Sequence, residues 1–328
     1  MKKFVVIMVA ALMTGSNLIM AQPQFGLEYY GELQSDFKGG VNFPNLLRLN
    51  LDMPAGRFVT IEASSISIAK TSKERLVDDL QTFSNIEEDN LPFAFARLGL
   101  AVQPVEGHTL YLGIRNVNED YFTSPVTSLF TNSSCGIFPT ISCNYPIANY
   151  PLASICLHYA FESDHWQALA SLYNGIGYNK LWGRENVFRF CPGSDGLFVI
   201  CQGAYKYNGS YYGLGACMHT IGPSGTLWAY AEQRITDGFS LIADYSHAFG
   251  QTAPCTDFLG IGGRYMFRKA ELGLFTDYAR FRDNYEWATE LTSLFQITEH
   301  ISIQPALHMI LQKDLKAVVG LFRLSISL

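Results

Sequence analysis

Apolar and polar residues alternate at a period of two through most of this chain. In residues 25–34, Phe25, Leu27, Tyr29, Gly31 and Leu33 fall on one side, and Glu28, Tyr30, Glu32 and Gln34 on the other. Residues 46–53 repeat the pattern more sharply, with Leu47, Leu49, Leu51 and Met53 against Arg48, Asn50 and Asp52. Successive side chains of a strand point to opposite faces, so this spacing predicts strands with one apolar and one polar face. A weaker strand follows around 58–68. Another starts at Pro92, with Leu98, Leu100 and Val102 opposite Phe95 and Arg97, and returns as Leu110, Leu112 and Ile114 opposite Tyr111, Gly113 and Arg115. Further on, Ala153, Ile155, Leu157, Tyr159 and Phe161 oppose Ser154, His158 and Glu162, and 166–173 runs back. From Gly196 the spacing is nearly regular, with strands predicted at 197–207, 211–221, 226–235, 239–249, 257–267, 270–280, 285–297, 300–311 and 315–328, joined by short links such as Asn208-Gly209.

The late strands show what lies outside. Ile301, Ile303, Pro305, Leu307, Met309 and Leu311 make one face wholly apolar, while Ser302, Gln304 and His308 stand opposite. Val318, Gly320, Phe322, Leu324, Ile326 and Leu328 do the same against Arg323, Ser325 and Ser327. A tilted bilayer-crossing strand needs roughly nine to eleven residues, which these segments supply. The count comes to about sixteen, the size at which a barrel is too wide for side chains to fill and holds water. The predicted fold is therefore all-β, a transmembrane antiparallel β-barrel of about sixteen strands. Closure would leave no sheet edge unpaired in lipid. The segments carry no exact repeat motif, which disfavours a propeller.

Three stretches break the alternation. Residues 114–151 contain four prolines and runs of Ser, Thr and Asn that no continuous strand tolerates, yet aromatic residues recur between 121 and 150. That combination predicts a long ordered loop folded inward to constrict the lumen. Residues 70–90 are charged and predict an external loop with a helix near 74–83. Residues 174–195 form a further long loop.

Composition agrees with this reading. Residues are 48% hydrophobic, 14% aromatic and only 16% charged, without any apolar run of the roughly 18 to 20 residues that a membrane helix requires. A net charge of −6 gives no support for nucleic-acid binding. Lys2 and Lys3, the apolar run that follows and Ala21 predict a secretory signal peptide over 1–21, leaving 22–328 as one barrel domain. The seven cysteines, at 135, 143, 156, 191, 201, 217 and 255, have no paired C-x-x-C spacing and predict no zinc site. Either Cys135 and Cys143 form a disulfide within the loop, or the thiols are free and behave as small hydrophobes.

The succession Asn118-Glu119-Asp120-Tyr121, then Leu129-Phe130-Thr131-Asn132-Ser133-Ser134 and Gly136, then Asn149-Tyr150-Pro151 resembles the carbohydrate-selective outer-membrane porins of the OprB type. The terminal segments, Phe295-Gln296-Ile297-Thr298, Ile303-Gln304-Pro305 and Ala317-Val318-Val319-Gly320, are similar to that family's closing strands. Cys135 stands where that family's middle motif usually has an aromatic residue, and Leu328 where such barrels often end in Phe. The resemblance implies a bacterial outer-membrane location and a water-filled channel for passive diffusion of sugars.

A sugar channel must exchange the hydration of hydroxyl groups for side-chain hydrogen bonds and offer rings to apolar sugar faces, while binding weakly enough for exit. The loop supplies Arg115, Asn118, Glu119, Asp120 and Asn132 for hydrogen bonding, and Tyr121, Phe130 and Tyr150 for stacking. Asn118 and Asn132 equally suit turns that hold the loop's own backbone. Arg48 and Arg97, with Arg115, fall on polar faces of early strands, where they form a basic lumen wall or pair with Glu28, Glu32 or Asp52. Glu119 and Asp120 lack the ligand spacing of a calcium loop. Ser154 and His158 lie four residues apart on one strand face, about 13 Å, too far for a nucleophile and base. The expected function is that of a porin with a preference for sugars or similar polyhydroxylated solutes, with no cofactor and no enzymatic activity. Its expected partners are small sugars, outer-membrane lipid and other copies of the chain. The alternatives are a general or anion-leaning porin, and a structural or adhesive barrel with a blocked lumen.

Overall fold

The computed structural model describes residues 22–122, 124–222 and 225–328. The signal peptide expected over 1–21 lies outside the described residues. Strands β1 (Gln24–Ser35), β2 (Val41–Asn42), β3 (Asn45–Pro54), β4 (Val59–Ala69), β5 (Leu91–Val105) and β6 (His108–Arg115) precede the long loop. After it come β7 (Ser154–Glu162), β8 (Trp166–Asn174), β9 (Leu197–Tyr207), β10 (Ser210–His219), β11 (Gly225–Arg234) and β12 (Phe239–Phe249). The chain finishes with β13 (Cys255–Phe267), β14 (Ala270–Phe281), β15 (Tyr285–Gln296), β16 (Ile301–Gln312) and β17 (Lys316–Ser327). All seventeen form one sheet, and since β2 has only two residues, sixteen strands of full length build the wall.

Each full-length strand runs antiparallel to its neighbour in the chain, and β17 returns to β1 in a register running from Glu28↔Ser327 to Ser35↔Gly320. The barrel is closed. Its outer surface is the apolar face predicted from the alternation: in β16 Pro305, Leu307, Met309 and Leu311 are exposed, while Gln304, His308 and Gln312 between them are buried. An exposed band of Leu, Ile, Val, Phe and Trp around a closed sheet is stable only against lipid, so the barrel spans a membrane. No helix among the described residues is long and apolar enough to cross one.

Packing inside the barrel is lopsided. The loop between β6 and β7 contributes Val117, Phe122, Phe130, Phe138 and Ile141 to a core whose other half is the inner wall, including Tyr173, Phe198, Trp228, Phe258 and Phe275. Two aromatic rings of that wall lie over cross-strand glycines. Gly213 pairs with Tyr230 and Gly215 with Trp228, and a Cβ at either glycine would collide with the ring. The wall can carry large rings under the loop only because these positions have no side chain.

One sequence expectation is corrected. Residues 70–90 contain no helix among the described residues, and they fold into the barrel rather than standing outside it. Val77 and Phe83 pack on Ala306, Ile310, Val319 and Leu321, and Ile86 on Leu46 and Ile66. The amides that a helix would use are taken elsewhere: Leu80 and Gln81 donate to the Glu286 carboxylate and Phe83 donates to Asp79. For the cysteines, the structure takes the free-thiol alternative over the Cys135–Cys143 disulfide. All seven cysteines are free, Cys135 being buried beneath the loop and Cys143 exposed.

Candidate constriction and lumen cavity

The loop of residues 116–153 is short on regular structure, so its polar backbone groups need partners, and the wall provides them. The Glu290 carboxylate accepts from the Thr131 amide at 2.9 Å and the Asn132 amide at 3.0 Å. The Val126 amide donates to Glu232 at 3.0 Å, and Asn132 Nδ2 to Asp277 at 2.8 Å. Asn144 exchanges two bonds with the backbone of Cys255, at 2.8 and 2.9 Å. Within the loop, Asn116 and Asn132 cap two of its short 3₁₀ turns, accepting from the Asn118 and Ser134 amides. Inward-facing carboxylates that would otherwise contact lumen water thus fasten the loop to strands β11, β14 and β15.

The opposite side stays open. Strands β1, β3, β4, β5 and β17, the 70–90 segment and the free edge of the loop enclose a cavity of about 550 Å³. Glu28, Tyr30 and Arg48 line it from β1 and β3, and Arg323 from β17. Glu87 and Glu88 come from the 70–90 segment, and Asn118, Glu119, Asn149 and Tyr150 from the loop.

The predicted residues separate into three groups. Asn118, Glu119 and Tyr150 line the cavity, together with Arg48 of the wall. Asn118 Oδ1 accepts from the Tyr150 amide at 3.1 Å, and the Tyr150 hydroxyl donates to the Ile86 carbonyl at 3.2 Å, tying the two inward segments together. Burial pushes the Tyr150 phenol well above its ordinary range, so it serves only as a neutral donor.

Arg115 and Asp120 close on each other instead, with two 2.6 Å bonds, and the guanidinium stacks over the Tyr111 ring at 4.7 Å. Arg97 is held by Asp52 at 3.0 Å and Glu62 at 3.2 Å, and Arg48 by Glu119 at 2.6 Å. The early-strand arginines are therefore all ion-paired, but only Arg97 with a partner the sequence suggests, Asp52; Arg48 and Arg115 pair with the loop carboxylates Glu119 and Asp120.

Tyr121, Phe130 and Asn132 form the third group. Tyr121 is wholly buried with its hydroxyl 2.7 Å from Ser171 Oγ, Phe130 packs on Phe275 with ring centroids 5.2 Å apart, and Asn132 holds Asp277. Their side chains face the wall rather than the cavity because the loop's apolar residues drive that edge onto the barrel's inner rings.

Sequence reasoning missed Glu28, Tyr30, Arg323, Glu87 and Glu88 as cavity residues. The first three sit at polar-face positions of end strands, where the alternation marks them as inward. The last two lie in the segment expected outside. Burial raises both Glu87 and Glu88 above the usual carboxylate range. Ser154 donates to the Asn174 carbonyl, whereas His158 Nδ1 meets Ser171 Oγ at 2.7 Å with Asp120 3.7 Å from Nε2. That trio is sealed beneath Tyr121 and lines no part of the cavity. Among the described residues, no three His, Cys, Asp or Glu side chains are grouped to hold a metal ion.

No family model matches this sequence, and no curated protein matches it. Solved structures do. The high-pH structure of Pseudomonas putida OprB superposes with a TM-score of 0.78 at 15% identity, over 93% of this chain and 94% of that one. The chain is also similar to a mutant of the Rh. blastica porin (TM-score 0.66, 9% identity, 94% and 100% covered). An in-vitro folded OmpT of Vibrio cholerae, in a trimer form, matches at a TM-score of 0.61 and 10% identity over 94% of this chain and 99% of that one. At these identities the likeness is one of fold: the chain has the barrel of outer-membrane porins.

Proposed function

We propose that the protein is a passive diffusion channel of the bacterial outer membrane that prefers sugars or similar small polyhydroxylated solutes. The observation that carries this reading is the lopsided lumen: a loop fastened to one wall leaves a cavity of about 550 Å³ against the other. That cavity combines the Tyr30 and Tyr150 rings with hydrogen-bonding groups of Asn85, Asn118, Asn149 and Arg48. Rings for apolar sugar faces beside donors and acceptors for hydroxyls are what weak, passable binding of a polyol needs. The mature chain would begin near Gln22, and copies would associate in the membrane as the OmpT trimer does.

In this reading Arg48, Asn118, Glu119 and Tyr150 meet the solute, Arg115 and Asp120 brace the loop's first turn, and Tyr121, Phe130 and Asn132 hold it to the wall. Liposomes containing the protein should swell in isotonic neutral sugars, faster for hexoses than for inert solutes of matched size. Swelling that depends on size alone would remove the sugar preference. No permeation would leave a barrel with a blocked lumen.

A further inference from the structure

The charges on the cavity wall are not balanced, and the imbalance lies in which of them already have partners. Both lining arginines are neutralised: Arg48 by Glu119 at 2.6 Å, Arg323 by the buried Glu32. The remaining lining charges, Glu28, Glu87 and Glu88, have no cationic partner within salt-bridge distance among the described residues. Glu28 accepts only from the neutral Tyr30 hydroxyl and Asn50 amide. Glu87 is 5% exposed, takes a single bond from Asn42, and leaves Oε2 buried without a partner. Lys70 and Arg75, the cations whose fields reach Glu87, are engaged by Asp89 at 3.3 Å and Asp79 at 2.6 Å.

We infer that the channel passes cations in preference to anions, and amine-bearing sugars in preference to carboxylate-bearing sugars of the same size. The inference rests on the channel reading above. Uncompensated carboxylates beside the path attract a cation and repel an anion, as charged rings do in selective pores. Glu28 is foremost among them, because burial favours the neutral forms of Glu87 and Glu88. One such charge about 4 Å from an ion in water is about 1 kcal/mol, which enriches a cation about fivefold and depletes an anion about fivefold, a ratio of about thirty before screening. Screening weakens it: the Debye length falls from about 10 Å at 0.1 M salt to about 3 Å at 1 M.

The test is the reversal potential of the full chain in planar bilayers across a KCl gradient, with glucosamine and glucuronate swelling rates in parallel. A potassium-over-chloride permeability ratio of about five or more at 0.1 M, falling toward one at 1 M, is expected. Glu28→Gln with Glu88→Gln should bring the low-salt ratio toward one. Glu119→Gln, which frees Arg48, should carry it below the wild-type value by itself. Glu299→Gln, on an exposed hairpin end, should leave it unchanged. Chloride preference, a ratio of one at low salt, or a ratio that ignores both cavity variants would overturn the inference while the channel reading stands. Absence of any conductance would remove both.

Discussion

Cys143 is open to the cavity yet surrounded by barrel interior, and burial pushes its thiol above the ordinary range. The thiolate is the reactive form, so raising its pKa lowers reactivity at neutral pH. A charged, membrane-impermeant thiol reagent should therefore label Cys143 slowly at pH 7, with the rate still climbing past pH ~8.5, where an ordinary cysteine is half ionised. Labelling should also lower single-channel conductance, and Cys143→Ala should remove both effects. Fast labelling at neutral pH, or modification without change in conductance, would place this residue away from the ion path.

The neighbouring charges show the same dependence on setting. Arg115 and Arg48 stand at similar polar-face positions on β6 and β3. Arg115 pairs with Asp120, five residues on, and with Glu62 of β4, whereas Arg48 pairs with Glu119 of the loop. Sequence alternation placed both inward. The choice of partner is made by the fold of the loop, which no local pattern encodes.

At the scale of elements, the loop of residues 116–153 is a lining fastened by wall carboxylates rather than a flap. Glu290 receives two amides and the Thr131 hydroxyl, and hydrogen bonds to a charged group contribute about 1.5–3 kcal/mol each. Glu290→Gln should weaken this anchor by about 1–3 kcal/mol, detected as faster proteolysis within the loop and noisier current, while the barrel stays folded. Phe130→Ala should destabilise more, by about 3–5 kcal/mol, because it also empties the space against Phe275. A loop as resistant as wild type in Glu290→Gln would mean that apolar packing alone holds it.

Strands were legible in the sequence because one face meets lipid and the other the lumen, so period two survives along each. β12 was read at its observed bounds and β14 one residue short. The long loop's inward course was legible from its prolines and aromatic residues, but its anchors were not. Thr131 and Glu290 stand 159 positions apart, and nothing local to either announces the pair. The 70–90 segment misled for a related reason. Its charges looked like a solvated face, whereas Asp79 is a capping partner for Arg75 and Phe83 inside the barrel. The cavity's acidic residues on that segment, Glu87 and Glu88, were lost with it.

At the scale of the whole molecule, protection of the backbone should be uneven around a barrel that is closed everywhere. Amides of β9–β15 lie behind a packed core, and those of β3–β5 behind a water-accessible cavity. Hydrogen exchange of the protein in detergent should be slower on the first arc than on the second, since exchange follows local opening. Equal protection around the ring would mean that closure of the sheet alone sets its stability. Such a division of labour has a consequence for descent. On the proposed channel reading, the arc that supports the structure and the arc that would meet a solute share few residues, so substitutions at Glu28, Arg48 or Glu88 would retune what is admitted without disturbing Phe258 or Glu290. A lineage carrying this barrel could change its diet one side chain at a time while the same half-solid cylinder kept its shape.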